Sequence, residues 1–252
     1  MNPVAFSLGP LKATWYGILM ALGFLIGYFL LRKLAKEKKI DLKLIDKYFL
    51  YVLIVTIIGA RLFHILFYNF DYFYANPIKI FYTWEGGLSS HGAIIANVLM
   101  TLWFSKKYKI KFYDLADIIV IPFALGAMFI RIGNFINQEL VGKVTNSIFG
   151  YKFDNYSELR HPVQLYQVFS NFVLFNILYF LRTLPSGYIF WLFILLYSAF
   201  RFICDMFKDL PFYYGLTLAQ YLSILMFIIS LIVLLKKHKK GGVIFGKQTR
   251  RK

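Results

Sequence analysis

Apolar residues fall into blocks along this chain, and short connections rich in lysine separate the blocks. Crossing the hydrocarbon core of a bilayer takes roughly 20 residues of helix, at a rise of about 1.5 Å per residue. The third block is short and begins with polar residues. Blocks of suitable length lie at 13–31, 48–68, 89–105, 114–136, 163–181, 187–207 and 216–235. The pattern predicts seven transmembrane segments.

These segments are expected to be helices. Lipid offers no partners for unpaired backbone groups, so only helices and closed barrels span it, and no stretch alternates with period two as barrel strands do. We find no internal repeat and no second domain. The sequence therefore predicts an all-α integral membrane protein with one polytopic membrane domain over residues 1–252. No cleavable signal peptide is expected, because only Lys12 precedes the first block and that block is long enough to span.

Composition excludes an ordinary water-soluble domain. Hydrophobic residues make up 59% of the chain and charged residues only 16%, against about half and about a quarter in soluble domains. The net charge of +17 could indicate nucleic acid as a partner. The lysines lie between apolar blocks, however, so we interpret them as topology signals and as contacts for anionic lipid, with no nucleic-acid partner. The single cysteine excludes an internal disulfide.

The basic residues also predict the orientation. Of the 29 lysines and arginines, 20 fall in connections 32–47, 106–113 and 182–186 and in the tail 236–252, whereas six fall on the other side. By the positive-inside rule the amino terminus is outside the cell and the carboxyl terminus is cytoplasmic. Residues 137–162 then form a short extracytoplasmic segment, and 236–252 form a basic cytoplasmic tail.

The remaining three arginines, Arg61, Arg131 and Arg201, lie inside predicted spans. Such a residue costs at least about 2.5–3.5 kcal/mol near the bilayer centre and usually faces a bundle interior or a polar cavity. Polar residues follow each arginine at helical spacing, which places them on the same helix face. These are His64 and Tyr68 after Arg61, Asn134 and Gln138 after Arg131, and Asp205 after Arg201.

Two interpretations of the arginines are open. Arg201 and Asp205 could form a purely structural pair, and Arg61 could reach the membrane surface or bind backbone carbonyls. Three arginines together with an amide cluster instead favour an outward-opening polar site. A guanidinium donates two parallel hydrogen bonds to phosphate, and the phosphate most available in a bilayer belongs to a lipid head group. We therefore expect an anion site.

Histidine and tyrosine near the outer ends of two spans add possible chemistry. His91 follows the glycine-rich turn in "WEGGLSSHGA" and could take up a proton near neutral pH, although a histidine at a helix start is commonly structural. Tyr16 lies near the outer end of the first span. We interpret Cys204, between apolar neighbours, as a packing residue.

The stretch "RIGNFINQELVG" resembles the signature of the prolipoprotein diacylglyceryl transferases, a family of bacterial membrane enzymes. The matching residues are Arg131, Gly133, Asn134, Phe135, Ile136, Asn137, Glu139 and Gly142. Other segments resemble the family in the same order, namely "FSLGPLKATWYG", "GARLFHILFYN", "WEGGLSSHGA", "RHPVQLYQ", "AFRFICDMF" and "AQYLS". The family's seven spans with the amino terminus outside agree with the orientation given by the basic residues.

The resemblance implies an enzyme of the bacterial cytoplasmic (inner) membrane whose active site opens to the extracytoplasmic side. Such enzymes transfer the diacylglyceryl group of phosphatidylglycerol to the thiol of the lipobox cysteine in a prolipoprotein signal peptide. A thioether forms and glycerol phosphate leaves. No metal-ligand spacing is present, and the resemblance implies no cofactor.

The resemblance also implies roles for individual residues. Arg131 and Arg201 would stabilise the phosphate and the leaving group. The glycerol portion would lie against Asn134 and Asn137, with Glu139 orienting the donors. Tyr16 and His91 match positions important for activity, and either His91 or the phosphate itself could accept the thiol proton. Arg61, Gly142 and Asp205 complete the expected lipid-binding residues.

The sequence departs from the family pattern at four positions. Ile130 replaces a glycine before Arg131, and Ala93 replaces a second glycine after His91. Asp205 stands where glutamate is common, and Gln167 stands where a carboxylate is common. Two other classes of protein remain open: a secondary transporter, which the lack of repeats disfavours, and a non-catalytic bundle that binds an anionic lipid.

Overall fold

The computed structural model describes residues 2–9 and 11–241, and helices make up most of that part of the chain. The α-helices are α1 (Trp15–Glu37), α2 (Leu42–Phe67), α3 (Phe70–Ala75), α4 (Ser90–Lys107), α5 (Phe112–Ile136), α6 (Val163–Phe180), α7 (Tyr188–Asp205) and α8 (Leu218–Gly241). Two 3₁₀ turns, Pro77–Phe81 and Thr83–Glu85, follow α3. Residues 242–252, which hold most of the predicted basic tail, lie outside the described residues.

Among the described residues, six helices are long and apolar enough to cross a membrane: α1, α2, α5, α6, α7 and the part of α8 from Leu218 to Lys239. Helix α4, on the third apolar block, is not among them. It is 18 residues long and carries Asn97, Thr101 and Ser105 among its apolar residues and two lysines in its last turn. The chain is a mostly helical, multi-pass membrane protein.

The helices extend past the apolar blocks where basic residues follow. Helix α1 continues to Glu37 through Arg32 and Lys33, and α8 continues beyond 235 through Lys236 and Lys237. Lysine and arginine are good helix formers, so an apolar run predicts the embedded length of a helix but not where the helix ends.

The part of the chain that the structure describes also contains two short antiparallel hairpins. Strand β1 (Val4–Leu8) pairs with β2 (Leu11–Thr14), and β3 (Tyr151–Lys152) pairs with β4 (Leu159–Arg160). Strand β2 runs directly into α1, so the first helix begins at Trp15 and not at residue 13. The sequence analysis does not predict these hairpins because their strands are too short to show an alternating pattern.

The chain divides into two compact units. Unit 1 contains the chain up to Gly27 together with the chain from Val120 onward, and unit 2 is Tyr28–Ile119. Within unit 1, α7 packs against both α6 and α8. Within unit 2, α2 packs against α4, where a Cβ on Gly59 would overlap Ala96 and lie 2.9 Å from the carbonyl oxygen of Gly92. Glycines at this contact allow close approach of the two helices.

Candidate active site

Helix α5 ends in a Schellman motif, in which a left-handed residue reverses the chain. That residue is Gln138, with φ of 56°. The backbone N–H of Glu139 donates to the carbonyl of Asn134 at 2.9 Å, and that of Gln138 donates to Phe135 at 3.0 Å. A left-handed conformation costs a residue with a side chain roughly 1–2 kcal/mol. The Gln138 amide offsets this strain by bonding both the carboxylate and the backbone N–H of Asp154.

The turn brings the polar residues of the motif into one hydrogen-bonded chain. Arg131 Nη1 donates to Asn134 Oδ1 at 3.0 Å, and Asn134 Nδ2 donates to Glu139 Oε2 at 3.0 Å. The other oxygen of Glu139 accepts from Asn137 Nδ2 at 3.1 Å. The Glu139 carboxylate thus orients the side-chain amides of Asn134 and Asn137. Asn134 in turn orients the guanidinium group of Arg131.

Helices α6 and α1 support this chain from two sides. Gln164 of α6, which is fully buried, donates its side-chain amide to the backbone carbonyl of Glu139. Tyr16 of α1 lies against Gly133, where a Cβ would come within 2.7 Å of its ring. Glycine in the motif therefore allows Tyr16 to approach the helix that carries Arg131, and the charges of Glu139 and Arg131 both act on Tyr16.

Gly142 lies where three backbone segments cross. Its N–H donates to the carbonyl of His161 at 3.0 Å, and it forms an antiparallel bridge with Lys208. A Cβ at Gly142 would come within 2.6 Å of the carbonyl oxygens of His161 and Phe207 and of a methyl group of Val163. The glycine is therefore required by packing, and it ties the end of the motif to the segment that follows α7.

A buried ion-pair cluster holds the second arginine. Arg201 Nε donates to Asp205 Oδ2 at 2.9 Å, and Lys208 Nζ lies 2.5 Å from Asp205 Oδ1. The side chain of Asp205 has no solvent exposure, whereas that of Lys208 is 9% exposed and that of Arg201 is 28% exposed. Burial lowers the pKa of Lys208, and the charge of Arg201 lowers it further, while the bond to Asp205 opposes both. One carboxylate therefore balances two cations.

Both arginines line the same cavity of about 30 Å³, between α5, α6 and α7. The volume is room for roughly two water-sized groups. Polar residues from α6 and α7, namely Gln167, Ser170, Asn171 and Tyr197, line it together with Cys204. The structure thus brings Arg131 and Arg201, which are 70 positions apart in the sequence, to one polar cavity.

Each arginine has hydrogen-bond donors left over. Within the described part of the chain, Arg131 makes one side-chain hydrogen bond through Nη1, and Arg201 makes one through Nε. Their other N–H groups have no protein acceptor there. Two partly buried guanidinium groups with free donors can hold a phosphate with charge-assisted hydrogen bonds.

Arg61 and His91 belong to unit 2. Arg61 is only 6% exposed, and it donates to five backbone carbonyls. The acceptors are Lys79, Ile80, Tyr82, Gly86 and Gly87. All the guanidinium N–H positions are directed at the connection between α3 and α4, which is the carbonyl-binding alternative raised by the sequence.

His91 lies in the first turn of α4 and is exposed, with its ring stacked at 6.3 Å on that of Phe63. Gly92, beside it, is the close-approach residue between α4 and α2. Exposure leaves the imidazole accessible to a second reactant.

Several site residues were not singled out by the sequence analysis. Lys208 follows Asp205 at the i,i+3 spacing of a helical ion pair, so its signal was present in the sequence. Gln164 and Asn171 were likewise not singled out, and together with Gln167 they form a polar stripe at helical spacing inside a mostly apolar span. Such a stripe within a membrane helix is typical of a face directed at a polar interior.

Comparison with known proteins gives the family. A sequence model of the family described as "Prolipoprotein diacylglyceryl transferase" matches residues 3–236. The chain belongs to the prolipoprotein diacylglyceryl transferase family. It is 40% identical over 250 residues to a phosphatidylglycerol–prolipoprotein diacylglyceryl transferase of Tolumonas auensis, covering 95% of this chain and 96% of that protein. It is 38% identical over 250 residues to the protein of the same name from Francisella tularensis subsp. holarctica, covering 93% and 92%.

Membership of the prolipoprotein diacylglyceryl transferase family confirms the resemblance seen in the sequence. Of the four departures, Gln167 and Asp205 lie in unit 1 at the arginine cavity or its ion pair. The shorter Asp205 still reaches Arg201, because the i,i+4 spacing brings the two side chains together on one face of α7.

Proposed function

We propose that this protein transfers the diacylglyceryl group of phosphatidylglycerol to the thiol of the lipobox cysteine in prolipoprotein signal peptides. This is the first step of bacterial lipoprotein maturation. The observation that carries the proposal is the shared cavity of Arg131 and Arg201, with free donors on both guanidinium groups, in a member of this family. A phosphate diester is the lipid group that two guanidinium groups with free donors bind best.

In the transfer, one carbon–oxygen bond breaks and one carbon–sulfur bond forms. The bond between the diacylglyceryl carbon and the phosphate oxygen breaks, and its electron pair leaves with glycerol phosphate. The cysteine sulfur takes the vacated position on carbon, giving a thioether, and its proton passes to a base or to the phosphate. Negative charge on the phosphate grows as the bond breaks, so cations aimed there stabilise the transition state more than the ground state.

Arg131 and Arg201 would bind that phosphate. The fixed chain from Glu139 through Asn134 to Arg131 supports a positioning role, because it sets the guanidinium before the lipid arrives. Asn137 would contact the glycerol portion, since its Oδ1 is buried without a hydrogen-bond partner in the described structure. Asp205 would orient Arg201, and Gly142 would hold the motif in place.

Tyr16 would act on the lipid, and His91 would act on the acceptor thiol. Tyr16 packs beside the arginine motif, where a hydroxyl can donate to the lipid. His91 is exposed in the first turn of α4 and can accept the thiol proton, with the departing phosphate as the alternative acceptor. Arg61 is the weakest member of the set, because its donors already bind carbonyl groups.

We also propose that α4 is a seventh span, giving one polytopic domain in the bacterial inner membrane. At 18 residues α4 is about 27 Å long, close to the thickness of the hydrocarbon core. Lysine-rich connections support an amino terminus outside, a cytoplasmic tail and residues 137–162 on the outer side. The active site would then open to the extracytoplasmic face.

The test uses the purified full-length chain in detergent with phosphatidylglycerol and a peptide carrying a lipobox cysteine. Mass spectrometry should detect a diacylglyceryl adduct on the peptide. The adduct should be lost in Arg131→Ala and kept in Arg182→Ala, which removes an arginine from the connection between α6 and α7. Folded wild-type protein that binds lipid but forms no adduct would contradict the proposal and favour a transporter or a lipid-binding bundle.

A further inference from the structure

Two lysines from different helices lie over one tyrosine ring in unit 2. Lys47 of α2 has its Nζ 5.3 Å from the centroid of the Tyr108 ring, and Lys107 of α4 has its Nζ 5.8 Å from the same centroid. Lys107 Nζ also lies 4.6 Å from the ring centroid of Trp103. A cation within about 6 Å of an aromatic ring is attracted to the ring face. The two rings therefore hold two like charges close to each other.

The Tyr108 ring is itself held in place by packing. It lies against Phe104, which is fully buried, with the two ring centroids 4.4 Å apart. Phe104 in turn meets the ring of Tyr48 edge-on at 5.1 Å, and the Tyr48 hydroxyl lies 2.8 Å from Thr101 Oγ1. Packed aromatic pairs of this kind restrict the orientation of each ring. The positions of the two ammonium groups over Tyr108 are therefore preformed.

No carboxylate balances these two cations. Within the part of the chain that the structure describes, neither Lys47 nor Lys107 forms an ion pair. Asp46, next to Lys47 in the sequence, pairs instead with Arg32 at 2.5 Å. The connection 106–113 between α4 and α5 contains four lysines and no acidic residue. The positive charge around Tyr108 therefore attracts an anion from outside the protein.

The position of the two lysines along the chain indicates the source of that anion. Lys47 directly precedes the apolar block 48–68, on a helix that is long and apolar enough to cross a membrane. Trp103 is 45% exposed, and tryptophan near the end of a membrane helix typically lies at the level of the lipid head groups. The anion available at this depth is the phosphate of a lipid.

We infer that Lys47, Lys107 and Tyr108 form a binding site for one anionic phospholipid, built from none of the residues that line the arginine cavity. The lipid phosphate would lie between the two ammonium groups, and the Tyr108 hydroxyl can donate to it. The acyl chains would pass along the exposed ring of Trp103. A zwitterionic lipid brings its own ammonium to the same two cations, so charge favours a lipid that is negative overall. The bound lipid undergoes no reaction at this site.

The test is the quenching of Trp103 fluorescence by lipids with brominated acyl chains. The other three tryptophans of the full-length chain, Trp15, Trp84 and Trp191, are replaced by phenylalanine. Vesicles of phosphatidylcholine then receive a minor fraction of brominated phosphatidic acid or, in the matched sample, of brominated phosphatidylcholine. Phosphatidic acid has no glycerol head group, so it is not the donor of the proposed transfer. It should quench Trp103 with an apparent affinity roughly tenfold above that of phosphatidylcholine.

Two double variants distinguish a site from the general positive charge of this end of the protein. Lys47→Gln with Lys107→Gln should bring the two brominated lipids to about equal affinity. Lys109→Gln with Lys111→Gln removes the same charge from the connection between α4 and α5 and should retain most of the preference. An equal loss in both double variants would assign the preference to the overall charge and overturn the inference. Equal quenching by the two lipids before any lysine is changed would also overturn it.

A second measurement keeps the inference testable should the protein with a single tryptophan fail to fold. Wild type is released from detergent that contains equal amounts of phosphatidic acid and phosphatidylcholine, and native mass spectrometry identifies the lipid that it retains. Wild type should retain phosphatidic acid, and the variant with Lys47→Gln and Lys107→Gln should not. Equal retention of the two lipids by wild type, or retention of inorganic phosphate in place of lipid, would contradict the site.

Discussion

Asp205 and Lys208 form an ion pair of 2.5 Å in which both side chains are almost fully shielded from solvent. The second oxygen of the same carboxylate binds Arg201. A buried charge is tolerated when it is paired, and removing one partner leaves the other uncompensated. Asp205 is thus the counterion of both Arg201 and Lys208.

Asp205→Asn should lower the free energy of unfolding by about 3–5 kcal/mol, because it leaves the buried Lys208 and the partly buried Arg201 without a counterion. Denaturation of the detergent-solubilised protein, followed by tryptophan fluorescence, measures the change. Asp209→Asn is the matched control. Asp209 pairs with Arg160 but is 65% exposed, so its loss should cost less than about 1 kcal/mol. Equal losses in the two variants would contradict the buried-pair argument.

Gly142→Ala should be strongly destabilising because the new methyl group would overlap two carbonyl oxygens and a valine side chain. Backbone cannot yield as a flexible side chain can, so we expect a loss of about 1–3 kcal/mol or more. Gly126→Ala in α5 is the comparison, since a Cβ there meets nothing within 4 Å. That variant should gain roughly 0.5–1 kcal/mol from helix propensity. Thermal unfolding of both variants in the same detergent measures the two changes in stability. A Gly142→Ala variant as stable as wild type would show that the backbone segments around Gly142 can move apart.

Arg61→Lys should loosen the connection between α3 and α4 while keeping the positive charge. An ammonium has three donors and no planar fork, so at least two of the five carbonyl bonds are lost. Hydrogen exchange of the amides of Tyr82, Gly86 and Ser89 should accelerate by roughly tenfold or more. Arg32→Lys, at the Asp46 ion pair, should leave those amides unaffected. Unchanged exchange in Arg61→Lys would show that the connection is held by other contacts.

His161 should make the stability of the protein depend on pH. Burial lowers the pKa of His161 below its usual value, and the charge of Lys143 lowers it further. The folded protein therefore favours the neutral imidazole, whose Nδ1 lies 2.9 Å from the hydroxyl of Tyr166. This contribution is fully present above about pH 6.5, the unfolded value, and is lost as the pH falls through the lower folded value.

The measurement is the unfolding temperature of wild type between pH 7.5 and pH 5. His161→Gln should flatten the decline on the acid side, because glutamine does not titrate. His238→Gln removes a histidine from α8 and should retain the slope. A decline in His161→Gln as steep as that of wild type would assign the pH dependence to other groups.

Much of this arrangement follows from spacing along single helices. The pairs Arg131–Asn134 and Arg201–Asp205 are three and four residues apart, and both form because such residues share one face of a helix. The approach of Arg131 to Arg201 does not follow from spacing, since it depends on how α5, α6 and α7 pack. The predicted common interior indicates the kind of site. It does not indicate which residues line the cavity.

Other features could not be predicted because their partners are backbone groups. Arg61 binds the carbonyl oxygens of residues 18 to 26 positions away. Every residue has a main-chain carbonyl, so these partners cannot be recognised from the residue types in the sequence. The left-handed Gln138 is similar, because glycine is the usual residue at that position of a helix end. The polar stripe of α6, by contrast, can be recognised in the sequence from the helical spacing of its residues.

The hydrogen bonds from Arg61 to backbone carbonyls affect which substitutions the protein can accept during evolution. Its five contacts are all with main-chain oxygens, so they are indifferent to which side chains residues 79–87 carry. Substitutions in that stretch can accumulate without breaking the anchor, provided that the backbone path and the positive φ of Gly86 and Gly87 are kept. One arginine can therefore hold the path of this connection while the side chains of residues 79–83, which precede the family-like stretch beginning at Trp84, vary.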